Sequence, residues 1–170
     1  PAYPVAAGYG EVGDVALMAS NESPEPPLEA VVEAAHRALL GVNRYPDPAG
    51  IRLRTALGER YELPATRIQI GNGSSEILLA AGAALLEDGA EIVFAWPSFS
   101  MYPHLAAATG ATEIRVPLND RQEHDLDAML GEITAATQLV LVCNPNNPTA
   151  TALPHERIAE FVAAVPDHVC

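Results

Sequence analysis

Right after the apolar run Leu139-Val140-Leu141-Val142-Cys143 comes Asn144-Pro145-Asn146-Asn147-Pro148-Thr149, a set of carboxamides on a backbone stiffened by two prolines. The run is short and continuous, with β-branched Val140 and Val142 alternating with leucines, as a strand buried on both faces of a parallel sheet reads. A side chain fixed at the carboxyl end of such a strand stands where open α/β sheets place ligands. The plainer alternative is that Asn-Pro pairs cap a turn. A second string, Gly71-Asn72-Gly73-Ser74-Ser75-Glu76 after Ile68-Gln69-Ile70, reads as a strand, a glycine turn and a helix start. Free amides at a helix amino end, with the positive end of its dipole, bind anions without a basic side chain. The string equally fits an ordinary glycine turn with a serine cap and Glu76 as a favourable first-turn acid. It has neither the Gly-Lys-Ser/Thr ending of a nucleotide P-loop nor G-x-G-x-x-G spacing. Third, Trp96-Pro97-Ser98-Phe99 follows Ile92-Val93-Phe94-Ala95. A ring there can stack on a planar heteroaromatic ring or simply join the core; Trp96 and Tyr102 read as packing residues.

The elements that must position these strings alternate with little slack. Helix is expected over 27–40, opening near Pro26-Pro27 and stopping at Gly41, with Leu28, Val31, Val32, Ala35 and Leu39 on one face. A second helix over 51–61 follows a loop containing Pro46, Pro48 and Gly50. Then come strand 67–71, helix 74–87, strand 91–95, helix 100–109, strand 112–116, helix 125–131, strand 138–143 and helix 154–165. Repeated strand-helix units predict an α/β fold with a doubly wound, mainly parallel sheet. Residues 1–40 look different, as an arm or a piece of a small domain would, and 41–170 would belong to the large domain.

A formal net charge of −13 argues against nucleic acid and anionic membranes as partners. An anionic ligand must then be held by local geometry. Hydrophobic residues make up 49 % and aromatics 5 %, so the core must be built mainly from aliphatic side chains. Cys143 and Cys170 give no disulfide framework, and a reduced, cytoplasmic setting is expected. No apolar stretch approaches the roughly 20 residues of a membrane span. The start Pro1-Ala2-Tyr3-Pro4 lacks the basic and apolar regions of a signal peptide. His36, His104, His124, His155 and His168 show no paired ligand spacing; surface placement is expected for all, and no metal site. Glu123-His124-Asp125-Leu126-Asp127 reads as a solvated loop and helix cap.

Five strings in order, Ala19-Ser20-Asn21-Glu22-Ser23-Pro24, Asn43-Arg44-Tyr45-Pro46-Asp47, Gly71 to Glu76, Pro97-Ser98-Phe99-Ser100-Met101-Tyr102 and the Asn-Pro string, carry a resemblance. The chain resembles the N-terminal half of fold-type I, pyridoxal-phosphate-dependent aminotransferases, most closely the histidinol-phosphate and aromatic (phenylalanine) aminotransferases. The resemblance implies pyridoxal 5'-phosphate as cofactor. It assigns the phosphate to the amides of Ser74 and Ser75, with their hydroxyls as extra donors. It assigns a cofactor face to Phe99 and the phenolate oxygen to the Asn147 carboxamide. It further implies a homodimer in which Tyr45 reaches the phosphate of the other subunit, and substrate contacts from Asn21 and Glu22. Where the family reads Asn-Pro-Thr-Gly, this chain has Asn147-Pro148-Thr149-Ala150. If that glycine supplies a positive φ, Ala150 must be strained or the turn must differ.

All nine basic residues are arginine, and there is no lysine. The chemistry of this family needs a lysine amine for its Schiff base, which a guanidinium cannot replace. No catalytic residue is therefore expected within the chain, and the lysine is expected beyond Cys170 in a longer polypeptide. The activity implied is transamination of histidinol phosphate or an aromatic amino acid with 2-oxoglutarate or glutamate. A decarboxylase or lyase of the same fold, or a non-catalytic half, remains the alternative.

Overall fold

The computed structural model describes residues 20–170. The first part of the expected arm, 1–19, lies outside the described residues. Contacts divide the chain into two compact units at Ile70/Gly71.

In the first unit, α1 (Glu29–Leu39) and α2 (Ile51–Tyr61) precede a 3-10 turn at Ala65–Arg67. Asp47 leads into α2: its carboxylate accepts from the Ala49 amide at 3.0 Å, folding the turn, and from the amide of the first helical residue, Ile51, at 2.6 Å, pairing a donor that a helix start leaves free. The Arg54 guanidinium ties α2 to the turn by donating to the Ala65 carbonyl from Nε at 3.0 Å and Nη2 at 2.7 Å. The apolar face expected on α1 has the right spacing, yet no residue of α1 is buried, and Leu28 and Leu39 are exposed. The strand expected over 67–71 is not one. Ile68 is extended, but a strand exists only through its ladder, and this segment has no ladder partner among the described residues.

The second unit contains α3 (Gly73–Leu85), β1 (Glu91–Trp96), α4 (Met101–Thr109), β2 (Thr112–Pro117), α5 (Leu126–Gly131), β3 (Thr137–Leu141) and α6 (His155–Ala164). The strands form a parallel sheet in the order β2-β1-β3. Central β1 is fully buried from Ile92 to Ala95 because alternate residues meet different covers. Ile92 and Phe94 pack with Leu78 of α3, with Tyr102 and Leu105 of α4, and with Leu139. Val93 and Ala95 pack with Leu126 and Met129 of α5 and Phe161 of α6. Burying each large side chain contributes roughly 1.5–3 kcal/mol. Gly82 lets α3 lie close to α4; a Cβ there would stand 2.2 Å from Leu105 Cδ1.

The helices thus cover both faces of a parallel sheet, the doubly wound arrangement expected. The strand expected over 138–143 ends at Leu141, two residues before Cys143. Beyond α6, Cys170 runs along the outer edge of β3: its carbonyl accepts from the Val140 amide at 2.9 Å and its amide donates to the Gln138 carbonyl at 3.0 Å. Among the described residues, no helix is long and apolar enough to cross a membrane.

Candidate active site

The chain order reverses at β1. From β1 the path leaves over the face covered by α4, and from its neighbour β3 over the face covered by α6. Between two parallel strands whose connections depart to opposite faces, a crevice opens outside their carboxyl ends, and open α/β sheets bind ligands there. The segment after β1 carries Ser98 and Phe99; the segment after β3 carries Asn144, Asn146 and Asn147. The sheet therefore brings the predicted residues Phe99 and Asn147 to one edge.

The three asparagines divide the work. Asn144 acts as a local strand partner for Leu153, whose amide donates to Asn144 Oδ1 at 2.8 Å and whose carbonyl accepts from Nδ2 at 3.0 Å. Asn146 is buried and uses both ends of its carboxamide. Its Oδ1 accepts from Ser98 Oγ at 2.7 Å and lies 3.1 Å from His124 Nε2. Its Nδ2 donates to the Pro97 carbonyl at 3.2 Å and to Thr149 Oγ1 at 2.8 Å. Asn147 is exposed, and its carboxamide has no partner among the described residues.

The turn is closed on itself by the Ala150 amide donating to the Asn146 carbonyl at 2.7 Å and the Asn146 amide donating to the Thr151 carbonyl at 2.8 Å. Ala150 sits at φ +58, a left-handed conformation that disfavours any residue with a Cβ. The departure from glycine is therefore met by strain rather than by a different turn. A third segment, Asn119–His124, joins the other two. Asn119 folds it by accepting from the amides of Arg121 at 2.9 Å and Glu123 at 3.0 Å, and it presents the Gln122 carbonyl to Thr149 Oγ1 at 3.2 Å and Thr151 Oγ1 at 2.6 Å.

Phe99 is half-buried, its ring met edge-on by Tyr102 with centroids 5.8 Å apart. Tyr102 and Trp96 pack as expected, and burial with Cys143 alongside pushes the Tyr102 hydroxyl well above the usual phenol range. Leu86–Ala90 joins α3 to the start of β1, and α3 lies on the sheet through Leu78, so its amino end points back toward the carboxyl edge. Ser74 is exposed and Ser75 half-buried, with neither hydroxyl paired among the described residues. Gly73 has φ +77 with open space where a Cβ would be. Glu76 folds back over the turn, accepting from the amide and from Nδ2 of Asn72, the latter at 2.9 Å.

Tyr45, Asn21 and Glu22 lie in the other unit and are all exposed, Tyr45 completely. Surface placement fails for His124, which is buried against Asn146 at the core of the crevice; burial lowers its pKa, opposed by the Asn146 bond. Asp125 does cap α5, accepting from the Ala128 amide at 3.0 Å. Ser98, His124, Asn144 and Asn146 carry the crevice, yet residue type alone did not mark them. Only the proline-bounded string pointed at the two asparagines.

The model for the family "Aminotransferase class I and II" matches residues 13–170. The aromatic amino acid aminotransferase of Thermobifida fusca (strain YX) is 46 % identical over 160 residues, covering 94 % of this chain and 44 % of that protein. The histidinol-phosphate aminotransferase of Akkermansia muciniphila is 40 % identical over 173 residues, covering 99 % and 48 %. Among solved structures, histidinol-phosphate aminotransferase from Sinorhizobium meliloti in complex with pyridoxal-5'-phosphate superposes with a TM-score of 0.84 at 28 % identity, covering 88 % of this chain and 41 % of that one. The chain thus spans less than half the length of the curated relatives it matches. With its doubly wound sheet and the crevice between β1 and β3, it belongs to the aminotransferase class I and II family.

Proposed function

We propose that this chain is the cofactor-holding N-terminal part of a dimeric pyridoxal-phosphate-dependent aminotransferase that exchanges an amino group between an aromatic amino acid or histidinol phosphate and 2-oxoglutarate or glutamate. The observation that carries the reading is the crevice: an exposed carboxamide and a half-buried ring stand on segments joined by the 2.7 Å Ser98–Asn146 bond at the carboxyl ends of neighbouring parallel strands. The names of the relatives support the substrate class, with aromatic amino acids the more frequent among them.

The residues present fit the cofactor. An acidic chain needs an anion site made of backbone, and the amino end of α3 with Ser74 and Ser75 supplies unpaired hydroxyls and first-turn amides. Phe99, braced edge-on by Tyr102, would cover one face of the pyridine ring. Asn147 Nδ2 would donate to the phenolate oxygen, a charge-assisted bond favouring its ionised form. Tyr45, fully exposed, would reach the phosphate in the other subunit, and Asn21 and Glu22 would contact substrate from the arm. When bound, pyridoxal phosphate supplies the electron sink for the bond broken at the substrate α-carbon.

The test is an amino-group exchange assay on the full-length protein with phenylalanine, histidinol phosphate and aspartate as donors. Nitrogen transfer to 2-oxoglutarate from phenylalanine or histidinol phosphate is expected. Release of carbon dioxide without nitrogen transfer would assign a decarboxylase instead.

A further inference from the structure

The Asn146 carboxamide can be oriented in only one way. The Pro97 carbonyl, 3.2 Å from one end, has no hydrogen to give, so the nitrogen must face it. The oxygen then faces Ser98 Oγ and His124 Nε2, and an amide oxygen only accepts. His124 must therefore carry its hydrogen on Nε2. Its Nδ1 is buried with no partner among the described residues, so a second proton there would be a buried donor with nothing to receive it. The ring is held neutral, in one tautomer. From the other end of Asn146 the network continues: Nδ2 donates to Thr149 Oγ1, the Thr149 and Thr151 hydroxyls share a bond at 2.8 Å, and the Gln122 carbonyl stands 3.2 Å from Thr149 Oγ1 and 2.6 Å from Thr151 Oγ1. It closes on the loop that carries His124.

The two candidates at this crevice, half-buried Phe99 and exposed Asn147, are each the chain neighbour of an anchored residue: Phe99 follows Ser98, and Asn147 follows Asn146. We infer that His124 is a positioning residue for the cofactor mouth, holding through Asn146 the segment that bears Phe99 against the segment that bears Asn147. The inference rests on the reading that pyridoxal phosphate binds this crevice. It adds a residue with no place in the ligand contacts themselves. An aliphatic side chain would fill the same buried volume without leaving Nδ1 unpaired; what the imidazole adds is a rigid donor at the node.

The experiment compares the full-length protein with His124→Phe, His124→Gln and Ser98→Ala, titrating each apoprotein with pyridoxal phosphate by its visible absorption band and measuring thermal unfolding without cofactor. His124→Phe keeps a flat ring and deletes the donor; its dissociation constant for the cofactor is expected to rise about tenfold, with a displaced band. Glutamine can place an amide N–H near Nε2, so His124→Gln is expected to stay within about twofold of the unmutated protein. A His124→Phe protein that melts earlier but binds with unchanged affinity and an unchanged band would overturn the inference, leaving His124 a core residue only. If that variant does not fold, Ser98→Ala, which removes the other donor to the same oxygen, carries the test: weaker binding supports the coupling, and unchanged binding overturns it. Failure of the unmutated protein to bind pyridoxal phosphate would sink the functional reading itself, before any variant is compared.

Discussion

The Ser98 hydroxyl donates to Asn146 Oδ1 at 2.7 Å inside the protein, joining two segments 48 residues apart. Phe99 and Asn147, each next in the chain to one end of that bond, are positioned by it.

Asn146→Ala should therefore be among the most damaging single changes in the second unit. It removes a partner from Ser98, the Pro97 carbonyl and His124 at once, and one of three from Thr149. Leaving buried polar groups unpaired costs about 1–3 kcal/mol for each group not rescued by water, so a loss of about 3 kcal/mol is expected. Chemical denaturation of the full-length protein measures it; a loss under about 1 kcal/mol would mean that the node is not structural.

Asn147→Ala should do the opposite. The side chain is exposed and unpaired among the described residues, so stability should stay within about 0.5 kcal/mol. Turnover should fall about 10- to 100-fold, the worth of a hydrogen bond to a charged group. Steady-state kinetics beside an unfolding curve separate the two effects.

Ala150→Gly should stabilise. At φ +58 the methyl group works against the backbone, and glycine relieves it at some cost in chain entropy. A gain of about 0.5–1 kcal/mol is expected as a raised denaturation midpoint, and a loss would show that the turn makes use of the methyl group.

Burial lowers the proton affinity of His124, while its unfolded pKa is about 6.5. On acidification the unfolded chain takes up the proton first. This histidine's contribution is thus fully present above roughly pH 6.5 and is lost as pH falls toward the depressed folded value. The stability difference between about pH 7.5 and 5.5 should be larger in the unmutated protein than in His124→Gln, by at most about 1.4 kcal/mol per pH unit. Equal differences would show that His124 does not titrate in this window.

Much of the fold is legible in the sequence, for a physical reason visible in β1. Ile92-Val93-Phe94-Ala95 is apolar throughout because both faces are covered, and an uninterrupted apolar run reports that directly. The helix at Ile51–Tyr61 was bounded by proline and glycine before it and agrees with the expectation residue for residue. Ile68-Gln69-Ile70 misled because a strand also needs a neighbour, and a neighbour is not a local property. His124 misled for a related reason. A polar residue reads as exposed until its partner, here 22 residues away, is known.

The prolines after Asn144 and Asn147 have a chemical effect apart from stiffness. Spontaneous deamidation of asparagine begins when the next residue's backbone nitrogen attacks the side-chain carbonyl, and proline has no N–H with which to start. Asn146 is the one carboxamide of the string followed by an ordinary amide, and its own two ends are gripped on both sides. Each carboxamide in the string is thereby shielded from ageing into an acid, which matters at a mouth that would have to stay hospitable to a phosphate ester.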